Sequence, residues 1–314
     1  MAVVQVEELQ RTFGHVRALD GLTFSVEQGT VFGFLGPNGA GKTTTIRILT
    51  GLARPTGGRA WVTGIQVGRG AREIARRVGY LPEEPSFYAW LTPRELLDYV
   101  GRIFGLTALE RAERTQELLA LVGLAEVAQR RIGGFSRGMR QRLGLAQALV
   151  NSPQVLFLDE PASALDPYGR KEVLELIEQL RGTCTVFMSS HILGDVERVC
   201  DTVGIIANGR LVVQAEREEL LARFAAPVFE LECDPDSQQA LASWVEGMRR
   251  LPWIDHVDVS GPSVRLVVSD VLAAKRQLLA KAVESGLVLT RYEMVKPTLE
   301  EVFLRLVGQG ETAQ

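Results

Sequence analysis

Apolar and polar positions alternate over residues 2–8 and again over 22–27, the period of strands with one buried face. Val31-Phe32-Gly33-Phe34-Leu35 is instead apolar throughout, which predicts a strand buried on both sides. A glycine-rich loop follows, and Thr43 to Leu49 continue as a helix. Gly57-Gly58 reads as a turn. Ala60-Trp61-Val62 and Gly79-Tyr80-Leu81-Pro82 read as strands around a helix at about 70–77. From Thr92 to about Val150 the period becomes helical, with Leu96, Leu97 and Val100, then Leu118, Leu119, Leu121 and Val122, marking apolar faces. Val155 to Leu158, Thr185 to Met188 and Val203 to Ile206 return to buried strands. This is an α/β core with a helical insert at about 86–150.

The character changes after Phe224-Ala225-Ala226-Pro227. Strands are expected at Val228 to Cys233, His256 to Ser260, Val264 to Ser269 and Leu287 to Val295, the middle two around a Gly261-Pro262 turn. Helices are expected at Ser237 to Leu251, Val271 to Glu284 and Leu299 to Leu306. Strand-helix-strand-strand-helix-strand predicts a small α+β, ferredoxin-like domain over 227–314, behind a larger domain over 1–226.

Composition narrows the function classes. Lys plus Arg number 35 against 38 Asp plus Glu, a net charge of −3, and the basic spots are short, so no nucleic-acid partner is expected. No run of 18 apolar residues occurs, and Met1 to Glu8 lack a basic segment, so neither a membrane span nor a signal peptide is expected. Cys184, Cys200 and Cys233 have no CxxC spacing and read as reduced thiols in small apolar sites.

Gly36-Pro37-Asn38-Gly39-Ala40-Gly41-Lys42-Thr43 fits GxxxxGK[ST] between a strand and a helix, the context of a phosphate loop. Its glycines let backbone N–H groups turn toward phosphate oxygens, and the helix start adds partial positive charge. Lys42 is suited to the β- and γ-phosphates and the Thr43 hydroxyl to Mg²⁺, with Thr44 beside it. No NKxD guanine-reading motif is present, which favours ATP. Val155 to Leu158 end in Asp159-Glu160, and two carboxylates at the end of a buried strand need a cationic partner. Asp159 suits Mg²⁺; Glu160 suits polarising a water.

Together with Phe135-Ser136-Arg137-Gly138-Met139, Ser163-Ala164-Leu165-Asp166 and Ser190-His191, these segments resemble, in order, the ATPase subunit of an ATP-binding cassette (ABC) transporter. The resemblance covers about residues 3–222. It implies a phosphate-loop ATPase core with an antiparallel β subdomain. It assigns His191 to the γ-phosphate and Phe13 to stacking on adenine. It also implies a head-to-tail homodimer in which Ser136 and Gly138 contact ATP held by the other subunit, with Asp166 linking the two sites. Three positions, in two motifs, depart from the family pattern. Glu83 stands where the family has Gln, and is carried over as a catalytic and Mg²⁺-side residue. Arg137 and Met139 replace a Gly and a Gln of the signature.

Tyr292 and Pro297-Thr298-Leu299-Glu300-Glu301-Val302-Phe303-Leu304 resemble the end of drug- and polyketide-exporter ATPases. The implied function is ATP hydrolysis that powers export through a separate integral-membrane permease, from the cytoplasmic face of the inner membrane. Phe87 and Tyr88 are expected to meet the permease. A soluble ribosome- or DNA-associated ABC ATPase and an importer ATPase remain the alternatives.

Overall fold

The computed structural model describes residues 1–163, 165–224, 227–295, 299–300 and 302–303. Ala164, Pro297, Thr298, Glu301 and Leu304, and most of the helix expected at Leu299 to Leu306, lie outside the described residues. The chain divides into two compact units, Met1–Arg217 and Glu218–Gly308. The change of character at Pro227 marks the start of a strand, whereas the division falls at the head of the preceding helix.

In the first unit, β1 (Ala2–Phe13) and β2 (Val16–Glu27) pair antiparallel, with β4 (Gly57–Val62) and β5 (Ile65–Gln66) completing a sheet of order β2-β1-β4-β5. Both long strands outrun their alternating segments because β1 is bulged. Val6 pairs with Phe24 but Leu9 with Leu22, so one extra residue sits on β1. Burial steps from Val4 and Val6 to Leu9, and Glu8 takes the bulge at φ 46°. The same irregularity recurs against β4, where Glu7 faces Arg59 and Gln10 faces Gly57. Gly57-Gly58 is therefore not a turn but the head of β4. Gly58 has φ 73°, and a Cβ there would stand 2.1 Å from the Glu8 carbonyl oxygen. Only glycine fits so close to the bulge.

The second sheet has the order β10-β9-β3-β8-β7-β6. Its members are β3 (Val31–Leu35), β6 (Val78–Leu81), β7 (Val155–Asp159), β8 (Thr185–Ser190), β9 (Thr202–Ala207) and β10 (Arg210–Glu216). All run parallel except the edge strand β10. Every residue of β3, β7 and β8 is buried, as strands covered on both faces require. Phe24 of the first sheet packs on Phe32, Phe34 and Phe187 of the second at ring separations of 5.4–5.9 Å, and Phe157 extends the layer. Helices α1 (Lys42–Leu49) and α2 (Ala71–Arg77) flank the core.

The insert holds α3 (Pro93–Ile103), α4 (Ala108–Leu121) and α5 (Arg137–Leu149). Thr92 with Glu95 and Thr107 with Glu110 form reciprocal caps, which is why α3 and α4 start where they do. Helices α6 (Pro167–Gln179) and α7 (Leu193–Val199) follow β7 and β8, and α8 (Arg217–Phe224) leaves the unit.

The second unit has β11 (Val228–Cys233), α9 (Gln238–Met248), β12 (Ile254–Ser260), β13 (Ser263–Val268), α10 (Val271–Glu284) and β14 (Leu289–Val295). Its antiparallel sheet has the order β12-β13-β11-β14, the ferredoxin-like arrangement that the alternation predicts. Trp244, Phe229, Leu266 and Leu278 sit in its core. The three cysteines are buried and free, and burial pushes the Cys184 thiol up to about 11.

Gly58→Ala is expected to destabilise the first unit by roughly 2 kcal/mol or more, because backbone strain adds to a clash with a backbone oxygen. Gly64→Ala, at φ 78° with nothing within 4 Å of the new Cβ, is expected to cost only about 1 kcal/mol. Urea unfolding of both variants checks the difference, and equal losses would contradict the bulge account.

Candidate functional site

The parallel strands end together. Leu35 pairs with Ser190 and Asp159 with Ser189, so the segments leaving β3, β8 and β7 emerge side by side. Leu81 of β6 pairs with Leu158, which brings Pro82 and Glu83 to the same edge. Ligands of open parallel sheets bind at this carboxyl edge.

The loop after β3 needs its glycines. A Cβ on Gly36 would stand 2.4 Å from the Ile206 carbonyl oxygen, and one on Gly41 would stand 2.6 Å from Leu19 Cδ2 and 2.7 Å from the Ala18 carbonyl oxygen. Gly39 and Gly41 hold φ 83° and 109°. Gly41 also caps α1 without a side-chain hydrogen bond, and no acid occupies the helix's first turn. The leading N–H groups of α1 are thus left for an anion. Lys42 is 6% exposed. Its Nζ donates to the carbonyls of Gly36 (2.7 Å) and Pro37 (3.3 Å), and lies 3.1 Å from Glu160 Oε1.

Asp159 Oδ1 accepts from Ser189 Oγ (2.7 Å) and Thr43 Oγ1 (3.1 Å). Burial holds the Asp159 carboxyl above its ordinary value; the two hydroxyls oppose that shift and the neighbouring Glu160 charge adds to it. Glu160 departs from the strand at φ 48°, a conformation costly for a side-chain-bearing residue. Its own N–H donates to Ser189 Oγ (3.0 Å). Its Oε2 accepts from the His191 backbone N–H (3.3 Å) and lies 2.8 Å from His191 Nδ1. An ionised carboxylate only accepts, so Nδ1 carries the proton and Nε2 is left for whatever enters the cavity.

A cavity of about 210 Å³ opens here, lined by Asn38, Gly39, Gly41, Lys42, Thr43, Thr44, Glu83, Glu160 and His191, with Ala18. The other loop residues support it from behind: Gly36 and Pro37 carbonyls hold Lys42, and the buried Ala40 accepts at its carbonyl from Gly209 N–H (3.1 Å). Ala18 and Ser189 were not anticipated. Ser189 leaves one sequence signal, a polar pair Ser189-Ser190 closing an otherwise apolar strand. Phe13 does not line the cavity. It is 49% exposed at the end of β1, with the Arg11 guanidinium 4.3 Å from its ring centroid.

Ser136, Gly138 and Asp166 do not line the cavity of their own chain. Ser136 caps α5, its Oγ accepting from Met139 N–H (3.2 Å), and a Cβ on Gly138 would meet nothing within 4 Å. Asp166 caps α6 by accepting from Gly169 N–H (2.8 Å). The departing Arg137 reaches back to Glu84 at 3.0 Å, an exposed pair worth little on its own.

The donor set fits Mg²⁺. Asp159 and Thr43 offer hard oxygens, and the buried carboxylate gains from a cation beside it. No group of three or more His, Cys, Asp or Glu that could hold a metal ion occurs among the described residues. A divalent ion here would draw its remaining ligands from water and phosphate, as Mg²⁺ does.

The family model described as ABC transporter matches residues 19–163, and that described as ATP-binding protein DrrA1-3-like, C-terminal domain, matches residues 216–307. The uncharacterized ABC transporter ATP-binding protein YxlF of Bacillus subtilis is 40% identical over 97% of this chain and 99% of that protein. The bacitracin transport ATP-binding protein BcrA of Bacillus licheniformis is 36% identical over 98% of each. Among solved structures, an ATP-binding subunit of an ABC transporter superposes with a TM-score of 0.65 at 30% identity, over 71% of this chain and 93% of that one.

Lys42 and Glu160 form a buried ion pair, so removing the cation leaves a carboxylate short of a partner. Lys42→Met is expected to lower stability by about 3 kcal/mol. Adding Glu160→Gln to that variant is expected to recover part of the loss, as urea midpoints of the single and double variants would show.

Proposed function

This chain belongs to the family of ABC transporter ATP-binding proteins and is the ATPase subunit of such a transporter; from that premise we propose the roles of its residues and its working assembly. Glu160 orients and polarises the water that attacks the γ-phosphorus. The observation that carries this is its burial, at 6% exposure, between Lys42 Nζ and His191 Nδ1. Low local dielectric strengthens both contacts and holds the carboxylate in one place.

His191, with Nδ1 engaged by Glu160, offers Nε2 to the γ-phosphate. Lys42, with the N–H groups of Gly39, Gly41 and the start of α1, neutralises the β- and γ-phosphates. An incoming phosphate competes with Glu160 and the Gly36 carbonyl for the same ammonium. Thr43 and Asp159 are the side chains that would hold Mg²⁺, which supplies charge neutralisation of the phosphates when bound. Glu83, lining the same cavity, acts on the water side. Phe13 offers one ring face to adenine while Arg11 covers the other.

The assembly is a head-to-tail homodimer. Ser136, Gly138 and Asp166 are exposed or open, lie outside their own chain's cavity, and crown the N-termini of α5 and α6, a chemistry suited to phosphate held by a second subunit. Among the described residues no helix is long and apolar enough to cross a membrane. The chain works at the cytoplasmic face of the inner membrane, beside a separate permease. A groove of about 450 Å³ lined by Phe87, Tyr88, Leu96, Tyr99 and Ile103 receives it. Tyr88, Tyr99 and Ile103 are 59%, 55% and 66% exposed, so their bulk is not spent on internal packing.

Export is the direction the C-terminal match supports. Among the described residues the second unit carries a four-stranded antiparallel sheet with helices α9 and α10 rather than a barrel, and the family match runs through it, so the importer and non-transport readings are not favoured.

Glu160→Gln is expected to keep ATP binding, lower kcat on the order of 10²-fold or more, and elute as an ATP-dependent dimer in size-exclusion chromatography. Turnover near the parent rate would remove Glu160 from the chemistry. Adding Ser136→Arg to Glu160→Gln is expected to leave a monomer with ATP present; a surviving dimer would sink the in-trans contact.

A further inference from the structure

An ion pair between a buried carboxylate and a half-buried guanidinium joins the helix that follows Asp166 to the helix that follows His191. Asp195, in the first turn of α7, is 2% exposed. Its Oδ1 accepts from Arg170 Nε at 2.6 Å. Arg170 stands in the first turn of α6, where its N–H donates to the Asp166 carbonyl (2.9 Å). Its guanidinium lies alongside the α7 turn, since a Cβ on Gly194 would stand 4.0 Å from Arg170 Nη2. Asp195 N–H donates to the Ile192 carbonyl (3.2 Å), closing the turn that begins directly after His191.

A carboxylate this buried must be paired, and apolar side chains of similar volume would stabilise the same α6–α7 contact at least as well. What an ion pair adds is direction, because the guanidinium fork accepts a carboxylate in few orientations. Burial keeps the Asp195 carboxyl above its ordinary value and Arg170 opposes that shift. Asp195 also feels the charges of both Glu160 and His191, so it sits within electrostatic reach of the reacting groups.

We propose that Arg170 and Asp195 are positioning residues for ATP hydrolysis, locking the first turn of α6, and with it Asp166, to the turn that carries His191 onto Glu160. Engagement of Asp166 by a second subunit is thereby passed to the water-activating pair through one rigid link. The inference rests on the proposed roles of Glu160, His191 and Asp166.

The test is steady-state ATP hydrolysis of the full chain, with binding of a fluorescent ATP analogue and thermal melting measured on each variant. Arg170→Ala and Asp195→Asn are each expected to lower kcat about tenfold or more, since small misplacements of reacting groups cost that much. KM and analogue affinity are expected to stay within about twofold, because neither residue lines the nucleotide cavity. Arg170→Lys, which keeps the charge but not the fork, is expected to lose less than Arg170→Ala. The double variant is expected to be no slower than the slower single one, as for two halves of one link. If Arg170→Ala does not fold, Asp195→Asn and Arg170→Lys carry the same comparison.

Parent-level kcat in the single variants, multiplying losses in the double, or a loss of nucleotide affinity that matches the loss of turnover would each overturn the link. Glu160→Gln assayed alongside separates the two levels of inference. If it is inactive while the Arg170 and Asp195 variants turn over normally, only the link falls. If it too retains turnover, the catalytic reading itself falls.

Discussion

The site depends on how one carboxylate is held in place away from water. Glu160 is nearly fully buried, in a left-handed backbone conformation that a side-chain-bearing residue adopts at a cost. Such a group persists only where its surroundings over-determine it. Here four segments do so: Lys42 from the glycine loop, Ser189 from the end of β8, His191 just beyond it, and the strand β7 that delivers the residue itself. Withdrawing any one leaves a polar atom without its partner, so a tight geometry at Glu160 requires a tight geometry in all four. On the proposed reading of Glu160, catalytic precision and local stability are in this sense one constraint.

That constraint is met far from the site, by the in-register parallel pairing of β3, β8 and β7 and by the aromatic layer beneath. Phe32, Phe34, Phe157 and Phe187 fix the second sheet, and Phe24 joins it to the first. A slip of one residue in β7 would carry Asp159 away from Ser189 and turn Glu160 to the other face. The fully buried strands make such a slip expensive, since it would exchange apolar side chains for carboxylates in the core.

What was legible in the sequence follows from how local each signal is. The glycine loop, the apolar run before it and the acids closing β7 carry their chemistry in adjacent residues, and the structure places them together. The reciprocal caps at Thr92 and Thr107 are local too, and α3 starts where the sequence suggests. The second half of β1 was hidden because the bulge at Glu8 shifts the buried face, so an alternating template loses phase there. Gly57-Gly58 looks like a turn for the same reason: glycine demanded by a close approach and glycine demanded by a turn are alike in sequence. Ser189 shows in the sequence only as half of a polar pair at a strand end; its role comes from strand pairing with Asp159, thirty residues away. Within one chain Ser136 and Asp166 are helix caps, and only the family resemblance gives them a second use.

The charge distribution around the cavity bears on what it can hold. Asp159, Glu160 and Glu83 surround or back it; against them stand the ammonium of Lys42, which Glu160 already engages, and behind the cavity the Arg47 guanidinium, which acts on Asp159. A nucleotide triphosphate brings further negative charge into that field, so side chains alone do not make the cavity attractive to it. The favourable terms lie elsewhere: in the N–H groups of the glycine loop and the uncapped start of α1, and, on the proposed reading, in a divalent cation between Thr43, Asp159 and the phosphates. Glu83 in place of a neutral Gln strengthens the requirement, because it adds a charge that must be offset before the phosphates settle. On the proposed reading, the departure at position 83 therefore ties nucleotide binding more closely to cation binding than a neutral side chain there would.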